Sequence, residues 1–143
     1  MARGLRLGTL LLVAEILFSF GTSPTLAQTQ ITADEFLDAA EGRTLTFHDF
    51  YEGDLIGVEQ FLSRETSIWR GSDGICVFGD VFRHLGQLCF SYDNNPDRPP
   101  SCWWTFQEGD RLLVKNARLT SGEIQEVTSI TSDPIECTIK PGV

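Results

Sequence analysis

Three regimes of hydrophobic and polar residues follow one another along the 143 positions of the chain. From Leu7 to Phe20 the residues are apolar or small, interrupted only by Glu15. From Ile31 to Glu41 the apolar positions recur at helical spacing, with Phe36, Leu37 and Ala40 on one side. From Thr44 onward the period drops to two, and short runs of β-branched and aromatic residues alternate with turn residues.

The helical stretch carries its own start and stop. In Ile31-Thr32-Ala33-Asp34-Glu35-Phe36 the Thr32 hydroxyl is placed to cap the helix, and Glu35, three residues on, to reach back to the Thr32 amide. Ile31 and Phe36 occupy the two hydrophobic staple positions, and Gly42 ends the helix. Such a helix, of about ten residues, is too short to persist alone and has to dock on another element.

The two-residue period predicts strands at Thr44 to His48, Gly57 to Leu62, Thr66 to Arg70, Ile75 to Arg83, Gln87 to Tyr92, Cys102 to Gln107, Arg111 to Asn116 and Ile124 to Ile130. A last short strand is expected over Glu136 to Ile139. Gly71-Ser72-Asp73-Gly74, His84-Leu85-Gly86, Asp93 to Ser101, Glu108-Gly109-Asp110 and Thr120-Ser121-Gly122 are turn or loop chemistry. Connections this short join antiparallel neighbours. The expected fold is therefore mainly β, an antiparallel up-and-down meander barrel of about eight strands with one short N-terminal helix.

The first regime reads as an export signal: Arg3 and Arg6 precede the apolar run, and Thr25-Leu26-Ala27 supplies small residues for cleavage. Its 14 residues fall short of the roughly 20 that span a bilayer, so an uncleaved anchor is the weaker reading. Residues 1–27 are thus expected to be a signal peptide and 28–143 one domain, periplasmic or alternatively extracellular, with no membrane span after cleavage. That domain holds 9 basic and 19 acidic residues, a formal charge of −10. A phosphate-binding protein has to place positive charge on its partner, so this balance argues against nucleic acid and anionic membrane surfaces.

Export also sets the reading of Cys76, Cys89, Cys102 and Cys137 as two disulfides. Four cysteines allow three pairings. If Gln87 to Tyr92 and Cys102 to Gln107 form one hairpin across the proline-rich loop, Cys89 and Cys102 lie opposite each other, leaving Cys76 for Cys137. Spacings of 13, 13 and 35 residues, with only His48 and His84 in support, do not make a zinc site.

Catalytic chemistry is poorly represented. Residues adjacent on a strand point to opposite faces, which separates His48 from Asp49, and no nucleophile motif accompanies them. His84 belongs to a turn. Asp93-Asn94-Asn95-Pro96-Asp97 begins like a calcium loop, but Arg98 replaces the required glycine and Trp104 the bidentate glutamate. No catalytic residue, metal ligand or cofactor is expected. Two features remain as candidate binding residues. Trp103 and Trp104 face opposite ways, one inward and one outward, where a binding surface or the N-terminal helix would meet it. The carboxylates Asp49, Glu52, Asp54 and Glu59 gather near one connection and suit a cationic partner.

The ordered motifs Gly57-x-Glu59-Gln60-Phe61-Leu62, Trp69, Gly74-x-Cys76, Gly79, Cys89-Phe90-x-Tyr92 and Cys102-Trp103, between Thr44 and Phe106, resemble a group of small exported bacterial proteins. The layout is also similar to lipocalin-like meander domains, which include periplasmic ligand binders and inhibitors of lysozymes and proteases. The resemblance implies fold and compartment, and no inhibitory motif carries over residue by residue. Together these features predict a non-enzymatic exported binding module that engages a basic protein or a small ligand. The alternatives are an inhibitor of a cationic periplasmic hydrolase and a structural accessory subunit using an exposed Trp and the tail Lys140-Pro141-Gly142-Val143. A hollow interior favours the ligand, and a filled interior with an outward apolar patch favours the other two.

Overall fold

The computed structural model of the chain describes residues 27–118 and 120–138. The expected signal peptide, apart from Ala27, and the tail from Lys140 lie outside the described residues. The elements in order are β1 (Thr29–Ile31), α1 (Ala33–Ala40), β2 (Thr44–Asp49), β3 (Leu55–Phe61), β4 (Thr66–Gly71), β5 (Cys76–His84), β6 (Gln87–Tyr92), β7 (Ser101–Glu108), β8 (Arg111–Asn116) and β9 (Ile124–Thr131).

Strands β2 to β9 each pair antiparallel with the next, and β9 returns to pair with β2 from Thr44↔Thr131 to Asp49↔Gln125. The result is a closed eight-stranded meander barrel. Register shifts in β2, between Phe47 and His48 against β3 and between Thr46 and Phe47 against β9, bend the strand where the barrel closes. The β5–β6 hairpin turns on Leu85 and Gly86, both at positive φ (50° and 78°), as a two-residue connection requires.

Strand β1 was not anticipated. The long β7 pairs with β6 only through Ser101–Trp103, so its edge would be bare below the β5–β6 turn. There β1 takes over, from Ile31↔Thr105 to Thr29↔Gln107, and the Thr105 hydroxyl donates to the Ile31 carbonyl (2.8 Å). The strand expected at Glu136 to Ile139 is absent over its described part, Glu136 to Thr138. That segment lies across the outside of the barrel instead, where the backbone is held by side chains. Gln60 accepts from the Ile135 amide (3.0 Å), Arg70 donates to the Glu136 carbonyl (2.7 Å), and Cys137 is bonded to Cys76. The second disulfide joins Cys89 to Cys102, directly opposed in the β6–β7 ladder. Both bonds are compatible with an oxidising, exported location. No described helix is long and apolar enough to cross a membrane.

Helix α1 begins in the expected capping box: Thr32 accepts from the Glu35 amide (3.1 Å), and Glu35 accepts from the Thr32 amide (2.7 Å). It buries Ala33, Phe36, Leu37 and Ala40. Phe36 meets Phe61 at a ring separation of 6.4 Å, so the helix plugs the barrel at the end where β3 finishes and β4 starts. Its polar face is tied to the same end by Arg64, which bridges Asp34 (2.9 Å) and Asp38 (2.8 Å), and by Arg83, which reaches Asp34 (2.8 Å).

Two glycines make room for aromatic rings inside the wall. A Cβ on Gly57 would come within 2.3 Å of the Trp69 ring, and one on Gly79 within 2.8 Å of the Tyr92 ring. Both rings therefore approach strand backbone more closely than any side chain at those two positions would allow.

Candidate functional site

Alternation along the strands decides what faces the barrel axis. Leu45 and Phe47 of β2, Glu59 and Phe61 of β3, and Val81 of β5 are all buried. Below, Phe61 and Phe36 fill the space; above them the inward side chains line the wall and leave a gap between them. What remains is a cavity of about 350 Å³, floored by Phe36 and walled by Phe47, Trp69, Phe90, Tyr92 and Trp103. Its mouth lies at the end opposite the helix, between the β6–β7 loop, with Asn94, Asn95 and Arg98, and the start of β9, with Glu123. A volume of this size is within the range of small-molecule sites.

One carboxyl is set into this aromatic wall. Glu59 is 2 % exposed, and its Oε2 accepts a hydrogen bond from the Tyr92 hydroxyl (2.9 Å). Its other oxygen, Oε1, has no hydrogen-bond partner among the described residues, and neither has the hydroxyl of Ser67 beside it. Burial pushes the Glu59 carboxyl up to about 7, and the Ser67 and Tyr92 hydroxyls, which pull it down, do not offset that. Ser67 is thus close enough to act on the carboxyl without completing a well-formed bond. Burial, and after it the charge of Glu59, holds the Tyr92 hydroxyl well above its ordinary range. Near the mouth a second carboxyl is partnered: Glu123 accepts from Asn116 (3.0 Å) and from Gln125 (2.7 Å).

The candidate residues divide accordingly. Trp103 lines the cavity, while Trp104 faces out into a surface depression beside Gln30 and Lys115. The helix does not cover Trp104, because its apolar face is spent on closing the barrel end. The four carboxylates do not form one patch. Asp49 accepts the amides of Tyr51 and Glu52 (both 2.8 Å) and shapes the β2–β3 turn, and Glu52 and Asp54 are exposed on that turn. Glu59 is a correction to the surface reading, since it shares the inward phase of Phe61 and belongs to the interior. That phase was the available signal: a lone acid on the apolar side of a strand. His48 bonds Thr128 (2.8 Å) and does not engage Asp49. Asn94, Asn95 and Arg98, at the cavity mouth, belong to the segment that begins like a calcium loop, and nothing in its sequence marks it as the rim of a cavity.

Among the described residues no three His, Cys, Asp or Glu side chains converge to hold a metal ion. Comparison with protein-family models, with curated proteins and with solved structures finds no match to this chain.

Proposed function

We propose that the chain is a non-enzymatic binding protein that holds a small, largely aromatic or apolar molecule inside its barrel. The observation that carries this reading is the hollow interior of about 350 Å³, enclosed by rings and floored by a helix, with one acceptor oxygen left without a partner in its wall. Eight strands enclose just enough space for one small ligand, and here Gly57 and Gly79 let the Trp69 and Tyr92 rings sit close against the wall. Affinity then comes from apolar area removed from water, and orientation from the few polar groups.

Titration with N-phenyl-1-naphthylamine, followed by its fluorescence gain and by quenching of Trp69 and Trp103, tests this. Saturable uptake is expected, and Val114→Trp, which fills the cavity from β8, should abolish it while far-ultraviolet circular dichroism is unchanged. Absence of uptake by the disulfide-bonded protein overturns the reading. The acidic loops at the mouth favour, as a second reading, a basic protein docked over the open end, with an association that weakens as salt rises.

A further inference from the structure

We propose that the ligand is an organic ammonium ion whose N–H groups reach Glu59 Oε1 while its apolar body lies among the rings of the barrel, an inference that rests on the cavity-binding reading. Three observations on separate parts of the molecule carry it.

The first is the orphaned acceptor. A carboxylate oxygen buried without a donor is costly, and the group that completes it has to bring a hydrogen and, for best effect, a positive charge. The chain sets only the Ser67 hydroxyl beside it and no positive charge: the described ion pairs belong to Arg64, Arg83 and Arg111, and none involves Glu59.

The second is the chemistry of the wall. Phe47, Trp69, Phe90, Tyr92 and Trp103 line the same space, and the negative faces of aromatic rings attract a cation. A carboxylate-bearing ligand would meet these faces and the Glu59 charge with the wrong sign.

The third is the mouth. The four loops at the open end carry Glu52, Asp54, Asp73, Asp93, Asp97 and Glu123, six carboxylates, against only Arg98 and Arg118. None of these six is in an ion pair among the described residues, whereas the acids at the helix end are bridged by Arg64 and Arg83. Unpaired charge of one sign around a low-dielectric opening concentrates ions of the other sign there.

The charged and titratable groups facing the cavity are Glu59 from β3, Tyr92 from β6, Arg98 from the β6–β7 loop and Glu123 ahead of β9. From α1, β2, β4, β5, β7 and β8 the cavity receives only uncharged side chains. Binding as ammonium to carboxylate requires Glu59 ionised, so below pH 7 the step releases the Glu59 proton to solvent.

Calorimetric titration of the disulfide-bonded protein with 1-naphthylmethylamine, neutral 1-methylnaphthalene and anionic 1-naphthoate decides the matter. The amine stays protonated from pH 6 to pH 8, as primary amines do. At pH 8 it is expected to bind at least about tenfold more tightly than either companion, as a charge-assisted hydrogen bond provides. Its affinity should rise about tenfold between pH 6 and pH 8, as a carboxyl titrating at about 7 becomes ionised. Glu59→Gln should remove that preference and leave 1-methylnaphthalene binding within about twofold, because the shape is kept and only the charge is lost. An amine that binds no better than 1-methylnaphthalene, a preference for 1-naphthoate, or a flat pH profile in the unaltered protein overturns the proposal. Binding of 1-methylnaphthalene in those cases leaves the cavity reading standing, and failure of all three probes to bind removes both.

Discussion

Glu59 occupies the least favourable place for a carboxyl among the described residues, and the cost has a sign that can be measured. Its folded value of about 7 lies above the ordinary 4.5, so the folded chain holds this proton more tightly than the unfolded one. The stability it contributes is fully present below about pH 4.5 and is lost as pH rises through about 7, roughly 3 kcal/mol in all. Asp34 and Glu35 act in the opposite direction: Arg64 beside Asp34, and the Thr32 amide beside Glu35, hold these carboxyls below their usual values. What they contribute is present above their ordinary values and lost as pH falls below them. The ligand-free protein is therefore expected to melt highest near pH 5, on the order of the crossing between these windows. Glu59→Gln should remove the decline toward pH 8 and raise stability there by about 1–3 kcal/mol, since no charge is then buried. Urea melts of both proteins at pH 5 and pH 8 check this, and a parallel decline in the variant assigns the trend to other groups.

The helix is the element whose sequence and position explain each other most completely. Eight residues cannot hold a helix in water, and α1 persists through its caps and its apolar face. Phe36 and Leu37, at 1 % and 0 % exposed, close the barrel end, and the Arg64 and Arg83 bridges fix the polar face above them. Exposed ion pairs of this kind add little each, so packing and the capping box carry the stability. Thr32→Ala removes the acceptor for the Glu35 amide and is expected to cost about 1 kcal/mol in thermal or urea unfolding. Because Phe36 is the cavity floor, the same substitution should weaken binding of N-phenyl-1-naphthylamine only as far as it loosens the plug. A loss of binding with unchanged stability would place the helix N-terminus in the site itself.

Over the whole molecule, closure and crosslinking do the work that a small core does elsewhere. The interior is partly empty, so buried apolar contact is limited, and the two disulfides compensate through the unfolded chain. In the chain-entropy account the Cys89–Cys102 bond, closing 13 residues, contributes about 3 kcal/mol, and the Cys76–Cys137 bond, closing 61, about 4 kcal/mol. Cys76→Ser with Cys137→Ser should lower stability by about that larger amount and release the segment from Asp133 to Thr138, seen as faster amide exchange at Ile135. The barrel should survive, since its ladders close without the tail.

Local pattern was enough for the strands, the helix and the kind of fold. The Thr32 and Glu35 spacing, the two-residue period and the turn residues each act within a few positions, so β6 at Gln87–Tyr92 and β8 at Arg111–Asn116 are legible to the residue. The opposition of Cys89 and Cys102 follows from a single hairpin register and was legible too. The barrel interior was not. Whether inward side chains meet depends on how eight tilted strands space them, and Gly57 and Gly79 matter only because Trp69 and Tyr92 arrive from neighbouring strands. Glu59 reads as one more acid near a turn until closure turns its side of β3 inward and removes it from water. Strand β1 exists because β7 outruns β6, and the tail from Asp133 to Thr138 lies flat because Gln60, Arg70 and Cys76 hold it. These features depend on contacts between positions far apart in the chain, and such contacts arise only when the sheet closes on itself.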